Sequence, residues 1–269
     1  MAMSVVIDYY SSYDEAGRLA GECSLERIRS QEIIGRYLPA TGISIIDIGG
    51  AAGAYSFWLA GLGHELTLVD LTPKHVEQAR KANEGAAAKL ARIESGDALD
   101  LEFPDGSFDM ALLMGPLYHL SEREQRLRAI REAARVVKPG GIVVAAAISR
   151  FAAMLDGYKY DLVADPAFRK ILDRSTTTGN HINDSGKAEY FTTARFHLAS
   201  ELRGEIAEAG LGVDKVLAVE GFAHWVHGVE DKMSDSGYRD YLLEKLRETE
   251  EEESLLGASS HLLAIASVL

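Results

Sequence analysis

Short apolar runs alternate with segments of helical character through the first half of the chain. The apolar runs have the length of buried strands and occur at residues 43–48, 65–69, 90–94, 108–114 and 142–148. Segments predicted to be helical separate most of them, at residues 54–62, 73–83 and 121–137. Buried strands that alternate with helices are typical of a parallel sheet covered on both faces. The pattern therefore predicts an α/β domain.

The remaining segments complete this sheet and interrupt it once. Further helices are predicted at residues 24–38, 197–209 and 238–256, and further strands at 213–219 and 261–268. We expect a Rossmann-like, mostly parallel seven-stranded sheet with helices on both faces, whose last strand is antiparallel and lies at the edge. Turn-rich residues 150–195 predict an inserted cap of short helices and loops. The predicted divisions are an N-terminal helical lid (1–42), a ligand-binding core (43–149), a substrate cap (150–196) and the C-terminal part of the sheet (197–269).

Composition narrows the partners that the chain can have. Its net charge is −13, with lysine and arginine scattered among carboxylates, which disfavours a nucleic-acid backbone or an anionic membrane surface. The first ten residues lack the basic and apolar regions of a signal peptide, and no apolar run approaches the length of a membrane span. Cys23 is the single cysteine, so no intrachain disulfide can form. We expect a cytoplasmic protein without nucleic-acid or membrane partners; its oligomeric state stays open.

A glycine-rich loop follows the first predicted strand. Residues 47–53 read DIGGAAG and lead into a predicted helix. Glycine permits positive φ and removes the Cβ that would block a ligand from the backbone, while the helix start offers free N–H groups. The carboxylate of Asp47 would attract an amino or ammonium group. An ordinary tight turn between strand and helix is the alternative interpretation.

Acidic residues follow the next two predicted strands. Asp70 ends the second strand, where a carboxylate can accept hydrogen bonds from both hydroxyls of a ribose. Gly96, Asp97 and Ala98 follow the third strand, where the carboxylate and the Ala98 N–H could bind an adenine. A helix-terminal aspartate and a simple turn are the respective structural alternatives.

The loop after the fourth strand carries groups able to transfer a proton. Residues 114–120 read MGPLYHL. Tyr118 and His119 could orient a nucleophile or accept its proton. The alternative is a packed tyrosine and a structural histidine at a helix start. His224 and His227 lie near Asp231 but lack a firm ligand spacing, so we expect no metal.

These landmarks, in this order, resemble the class I S-adenosylmethionine-dependent methyltransferases over residues 43–269. Residues 103–109 (FPDGSFD) and 136–141 (VVKPGG) are similar to family segments before the fourth and fifth strands. Residues 115–120 (GPLYHL) look like a subgroup that acts on small molecules. Ala51 departs from the family, which often has glycine there.

The resemblance implies a role for each matching position. Asp47, Gly49 and Gly53 would surround the methionine part of the cofactor, Asp70 its ribose, and Asp97 and Ala98 its adenine. In similar proteins the N-terminal segment folds over the cofactor, so Tyr13 could pack on the sulfonium and Arg18 could pair with the carboxylate. The complete predicted cofactor set is Asp47, Gly49, Gly53, Asp70, Leu71, Asp97, Ala98, Met114, Tyr13 and Arg18. The predicted catalytic residues are His119 as the first candidate and Tyr118 as the second.

The predicted function is transfer of a methyl group from S-adenosylmethionine to an O, N, S or C nucleophile of a small molecule, which leaves S-adenosylhomocysteine. A non-catalytic module that binds S-adenosylmethionine, or a methyltransferase acting on RNA or protein, are the alternatives. A nicotinamide-dependent oxidoreductase is disfavoured, because residues 47–53 do not match the Gly-x-Gly-x-x-Gly pattern and Asp47 would face a pyrophosphate.

Overall fold

A computed structural model describes residues 24–40 and 42–269. The predicted lid therefore lies largely outside the described residues, and so do Tyr13, Arg18 and Cys23. Within the described part of the chain, no helix combines the length and the apolar character needed to cross a bilayer.

The described residues form nine strands, ten α-helices and four short 3₁₀ helices. The strands are β1 (Ser44–Ile48), β2 (Glu65–Asp70), β3 (Arg92–Ser95), β4 (Phe108–Leu113), β5 (Val137–Ser149), β6 (Asn180–His181), β7 (Ala194–His197), β8 (Gly212–Ala218) and β9 (His261–Ser267). The α-helices are α1 (Ser24–Gly35), α2 (Ala54–Gly61), α3 (Pro73–Gly85), α4 (Pro116–His119), α5 (Arg123–Val136), α6 (Ala152–Lys159), α7 (Pro166–Thr178), α8 (Ala199–Glu208), α9 (Val229–Lys232) and α10 (Ser236–Thr249). The 3₁₀ helices span Leu162–Ala164, Ala188–Tyr190, Gly221–Trp225 and Leu256–Ala258.

The main sheet confirms the predicted fold class. Its order is β3-β2-β1-β4-β5, all parallel, followed by β9 and then β8. β9 is antiparallel to both of its neighbours, as expected of the last strand. Its expected edge position is wrong, because β8 pairs along its outer side and is itself the edge strand. β9 is therefore hydrogen-bonded on both sides, and its residues from Leu262 to Ala266 are buried.

The insertion contributes strands that its turn-rich sequence did not predict. β6 and β7 form a short antiparallel pair, and β7 joins the end of β5 in parallel through Ile148 and Ser149. α6 and α7 pack with these strands around a small apolar core of their own, which includes Phe168, Ile171 and Phe196. Strands of two to four residues carry too little periodicity to be recognised from sequence.

The main core lies on both faces of the sheet. On β1, Ile46 and Ile48 face a cluster that includes Ile130 of α5, whereas Ile45 faces the opposite cluster with Leu59 of α2. Successive side chains of a strand point to opposite faces, so a continuously apolar strand requires a helix layer on each side. This two-sided burial fixes the register of the sheet, and with it the edge at which the parallel strands end.

A buried ion pair joins two helices on one face of the sheet. Arg126 of α5 donates to both carboxylate oxygens of Glu205 of α8, with Nε–Oε2 2.9 Å and Nη2–Oε1 2.7 Å. Both side chains are almost fully buried. Removing Arg126 would take the main cationic partner from the buried carboxylate of Glu205.

We predict that Arg126→Ala lowers the free energy of unfolding by about 3 kcal/mol. The exposed pair between Arg203 and Glu253 supplies the control, and Arg203→Ala should cost less than about 1 kcal/mol. Urea unfolding followed by circular dichroism measures both variants. Equal losses for the two would contradict the assignment of Arg126 as a buried structural contact.

Candidate active site

A cavity of about 370 Å³ opens at the edge where the parallel strands end. The loops after β1, β2, β3 and β4 form its walls. Every predicted site residue within the described part of the chain lines it: Asp47, Gly49, Gly53, Asp70, Leu71, Asp97, Ala98, Met114, Tyr118 and His119. The structure therefore brings four separate sequence motifs to one place, whereas Tyr13 and Arg18 lie outside the described residues.

The loop after β1 requires glycine at two positions. Gly49 and Gly53 have φ of 74° and 93°, and an added Cβ would lie 2.7 Å from Pro116 Cδ and 2.8 Å from the Phe57 ring, respectively. Ala51, the departure from the family pattern, also has a positive φ of 48°. An alanine in that conformation costs about 1–2 kcal/mol relative to right-handed backbone. The loop holds this conformation partly because the Ala51 N–H donates to Asp70.

Asp47 presents a buried acceptor to the cavity. Its side chain is fully buried, and Oδ2 accepts a hydrogen bond from Ser56 Oγ at 2.7 Å. Oδ1 is also buried and has no hydrogen-bond partner among the described residues. Burial raises the pKa of Asp47 to about 6, and the nearby Asp70 carboxylate adds to the rise despite the bond from Ser56. A cationic donor would satisfy Oδ1 and stabilise the ionised form.

Asp70 connects two of the loops. Its Oδ2 accepts from the Ala51 N–H at 2.9 Å and its Oδ1 from the Thr72 N–H at 2.8 Å, while His75 Nδ1 lies 3.2 Å from Oδ1. An ionised carboxylate can accept about four hydrogen bonds. Asp70 therefore keeps acceptor capacity for the hydroxyls of a ribose, and that role stays a prediction.

The loop after β3 packs closely against β2. An added Cβ on Gly96 would lie 2.7 Å from the Val69 side chain, so only glycine fits without displacing it. Asp97 Oδ1 accepts a hydrogen bond from the Leu99 N–H at 2.9 Å, which fixes the turn. Asp97 and Ala98 both line the cavity, in agreement with an adenine position that remains a prediction.

Tyr118 and His119 lie on the one-turn helix α4. The Tyr118 hydroxyl donates to the Met114 carbonyl at 2.9 Å, so a proton-accepting role would require that bond to break. The His119 ring stands edge-on to Tyr118 at 4.6 Å between centroids and lies 6.4 Å from the Phe191 ring. Burial lowers the pKa of His119 to about 3, with a smaller opposing effect of Asp70. His119 is thus neutral at physiological pH and holds an accepted proton weakly.

A second cavity of about 380 Å³ adjoins the first. The two share Glu26, Tyr118 and His261 in their walls. The insertion supplies an aromatic side to the second cavity, namely Phe168, Tyr190, Phe191 and Phe196. Five carboxylates and a single lysine also line it: Glu26, Asp156, Glu189, Glu220, Glu230 and Lys159. It is therefore both aromatic and acidic.

A polar cluster separates the two cavities, and sequence reasoning missed it. His261 Nδ1 lies 2.5 Å from Glu220 Oε1 and 3.9 Å from Glu26 Oε2. Nearby, His224 Nε2 lies 3.6 Å from Asp156 Oδ1 and its Nδ1 3.3 Å from Ser260 Oγ. One signal could have indicated His261. His261 is the first residue of a strand predicted to be antiparallel, and such a strand begins at the edge where the parallel strands end.

The part of the chain that carries most of the first cavity is similar in sequence to known methyltransferases. Residues 46–145 match the family model of the methyltransferase domain. The C-methyltransferase UbiE of ubiquinone and menaquinone biosynthesis from Roseobacter denitrificans is 31% identical over 121 residues, 44% of this chain and 47% of the relative. The ubiquinone biosynthesis O-methyltransferase of Xanthomonas campestris is 32% identical over 124 residues, 44% of this chain and 50% of the relative. The chain thus spans about half the length of the curated relatives it matches.

Solved structures agree with the fold over a longer stretch. An S-adenosylmethionine-dependent methyltransferase from Methanosarcina mazei gives a TM-score of 0.59 at 20% identity, over 88% of this chain and 97% of that one. Another from Mesorhizobium loti gives 0.59 at 19% identity, over 90% and 99%.

Residues 46–145 thus resemble a methyltransferase domain, and the described chain shares its fold with S-adenosylmethionine-dependent methyltransferases. S-Adenosylmethionine is the methyl donor of this class, and the residues of the first cavity fit it. The unpartnered Oδ1 of Asp47 suits an ammonium group. An added Cβ at Gly49 or Gly96 would collide with Pro116 or Val69, so the two loops that line the cavity can pack closely only with glycine at these positions. The described residues therefore contain the fold that the sequence predicted, with a cavity at the edge where the parallel strands end.

The buried Asp47 predicts opposite effects on ligand affinity and on stability. Asp47→Asn removes the charge that attracts an ammonium, so affinity for S-adenosylhomocysteine should fall at least about tenfold. The raised pKa means that ionised Asp47 destabilises the ligand-free fold above about pH 4, and Asn removes that penalty. We therefore expect the ligand-free variant to unfold at a higher denaturant concentration than the wild type. Its free energy of unfolding should be about 1 kcal/mol higher.

Calorimetry and urea unfolding test this pair of effects, with Asp214→Asn on the surface as control. A variant that loses both affinity and stability would contradict the prediction, since Asp47 would then be a structural residue.

The pH dependence of binding follows from the same group. Asp47 is protonated below about pH 6, so affinity for S-adenosylhomocysteine should be constant near pH 7–8 and fall as the pH drops through 6. In Asp47→Asn this decline should be absent. A decline of equal size in the variant would assign it to another group.

Proposed function

We propose that this chain transfers a methyl group from S-adenosylmethionine to a small molecule held in the second cavity. The observation that carries the proposal is the wall of Glu26, Tyr118 and His261 that the two cavities share. Adjacent sites place donor and acceptor within reach, and proximity supplies much of the rate for such a transfer. The cofactor supplies a methyl group on a cationic sulfur: the acceptor's lone pair bonds to that carbon while the carbon–sulfur bond breaks and its electron pair stays on sulfur.

The residues of the first cavity take the binding roles in this proposal. Asp47 would hold the ammonium of the methionine part, with Gly49 and Gly53 giving access to the backbone. Asp70 would accept from the ribose, and Asp97 with Ala98 would contact the adenine. Leu71 and Met114 would supply apolar walls. Contacts of Tyr13 and Arg18 with the cofactor stay predictions.

The insertion takes the role of a substrate cap. Its aromatic residues form one side of the second cavity, and they belong to an apolar cluster that also includes Ile148 of β5. The predicted division at residues 150–196 is supported by this cluster, although β7 also extends the main sheet. Tyr118 lines both cavities and His119 lines the first, 6.4 Å from the Phe191 ring of the cap, and their catalytic roles stay predictions.

The charge of the second cavity restricts the acceptor. Five carboxylates face one lysine, so an acceptor that carries a carboxylate would be repelled, whereas an uncharged or cationic acceptor would not. The proposed acceptor is therefore a compact, largely aromatic molecule without acidic groups. A cytoplasmic location stays a prediction that rests on the sequence.

Methyl transfer from radiolabelled S-adenosylmethionine to a panel of small aromatic molecules tests the proposal. Tyramine and 4-hydroxyphenylacetate form a matched pair, since both are phenols and they differ in the charge of the side chain. We expect the cation to be used at least about tenfold better, because the cavity repels the anion.

A preference for the carboxylate would contradict the assigned acceptor class. Binding of S-adenosylhomocysteine without transfer to any member of the panel would favour the non-catalytic alternative. Transfer to RNA or protein alone would favour a macromolecular acceptor.

A further inference from the structure

We infer that His261, oriented by Glu220, accepts the proton that the methyl acceptor loses. The inference rests on the proposed function, because it assigns a role within the same pair of cavities. It adds a catalytic residue, His261, and a positioning residue, Glu220, that the sequence motifs did not indicate.

The position of His261 follows from the topology of the sheet. It is the first residue of β9 and pairs with Ile148 near the end of β5. Because β9 runs against its parallel neighbour, its start lies at the same edge as the carboxyl ends of β1, β4 and β5. The His261 side chain is about one-quarter exposed and contributes to the walls of both cavities. It therefore stands between the predicted donor and acceptor positions.

The bond to Glu220 defines which nitrogen of His261 can accept a proton. An ionised carboxylate only accepts hydrogen bonds, so Nδ1, 2.5 Å from Glu220 Oε1, carries the hydrogen. In the neutral ring the lone pair is then on Nε2. This is the arrangement of a histidine general base held in one tautomer by a carboxylate.

Glu220 is itself fixed in place. Its Oε2 accepts hydrogen bonds from Ser259 Oγ at 2.8 Å and from the His261 N–H at 3.0 Å. Ser259 is fully buried, and its Oγ in turn accepts from the N–H groups of Glu220 and Gly221. Burial would raise the pKa of Glu220, but the charge of His261 and these hydrogen bonds outweigh it and lower that pKa. Glu220 thus stays ionised and favours the imidazolium form of His261.

The other charged and titratable groups around His261 are also mainly acidic. Glu26 of α1 lies 3.9 Å from its Nδ1, and the linked pair of His224 and Asp156 lines the same cavity from the segment Gly221–Trp225 and from α6. Carboxylates stabilise a neighbouring imidazolium. The environment of His119 disfavours the imidazolium. Burial lowers the pKa of His119, and its ring packs against the ring of Tyr118. Of these two histidines, His261 is the one built to hold a proton.

The proposed step is a single proton transfer. The O–H or N–H bond of the acceptor breaks, its electron pair stays on the nucleophilic atom, and His261 Nε2 binds the proton. The imidazolium is stabilised by Glu220 and returns the proton to water after the product leaves. Acceptors whose nucleophile carries no proton would gain nothing from this residue.

Nuclear magnetic resonance of the full chain tests the pair without knowledge of the acceptor. Ring-¹⁵N-labelled histidine reports tautomer and titration, and His261→Asn assigns the signal. We expect a protonated Nδ1 in the neutral ring, with and without S-adenosylhomocysteine. Glu220→Gln should lower the titration midpoint of His261, because a neutral amide stabilises the imidazolium less. An Nε2-protonated ring, or a midpoint unchanged by Glu220→Gln, would overturn the inference.

Methyl transfer tests the catalytic role. His261→Asn retains an amide donor toward Glu220, so the variant should fold and should bind S-adenosylhomocysteine within about threefold of the wild-type affinity. The rate of transfer to phenols or amines should fall at least about 100-fold. The acidic limb of the wild-type pH–rate profile should shift to lower pH in Glu220→Gln and vanish in His261→Asn. The exposed His227→Asn is the matched control and should retain the wild-type rate.

The outcomes separate the two proposals. Wild-type transfer with an undiminished rate in His261→Asn would overturn the inference and leave the proposed function intact. Absence of transfer by the wild type, despite cofactor binding, would overturn the proposed function. Glu26, Glu220 and His261 also have possible ligand atoms within 4.8 Å of one another. Loss of wild-type activity in a chelator, with recovery on adding Mg²⁺ or Mn²⁺, would replace the proton-accepting role by metal binding.

Discussion

The direction of the strands is the constraint on which both cavities depend. β1, β2, β4 and β5 are parallel, so the polar residues at their carboxyl ends meet at one edge of the sheet. β9 runs in the opposite direction, and its first residue therefore reaches that same edge. The burial of the apolar strands on both faces fixes these registers, because a slip of one residue would turn every side chain of a strand to the wrong face. The chemistry at the edge is thus held in place by apolar packing far from it.

The first cavity concentrates negative charge in a buried place. Asp47 and Asp70 are both buried, and their mutual repulsion contributes to the raised pKa of Asp47. Backbone N–H groups satisfy Asp70 on both oxygens, whereas one oxygen of Asp47 has no partner among the described residues. The ligand-free fold therefore bears an electrostatic cost that a cationic ligand removes. Binding sites typically carry such a cost, because residues that are kept for function can lower the stability of the fold.

Sequence reasoning located the first cavity but not the second, for a physical reason. Asp47 and Asp70 lie at the carboxyl ends of β1 and β2, and Asp97 comes two residues after β3, so local pattern and strand direction together place them. Most strand bounds in the core were predicted to within about two residues, but β5 begins at Val137, five residues before its predicted start. The second cavity depends on contacts between distant segments: Glu220 and His261 are 41 residues apart and meet only through the pairing of β8 with β9. The helix predicted to 256 in fact ends at Thr249, where tertiary packing overrides a favourable local sequence.

The two histidines near the cavities show how environment rather than residue type decides a chemical role. His119 is adjacent to a recognisable motif, yet its surroundings are aromatic and its pKa is lowered to about 3. His261 lies outside any motif, yet an ionised glutamate fixes its tautomer. A cationic ligand in the first cavity would oppose protonation of either ring. His261 has two carboxylates at hand, Glu220 and Glu26, to offset that repulsion, whereas His119 has only the smaller effect of Asp70. In the proposed reaction the carboxylates of Glu26 and Glu220 would therefore have two roles. They would repel anionic acceptors, and they would stabilise His261 when it holds the proton that a suitable acceptor releases.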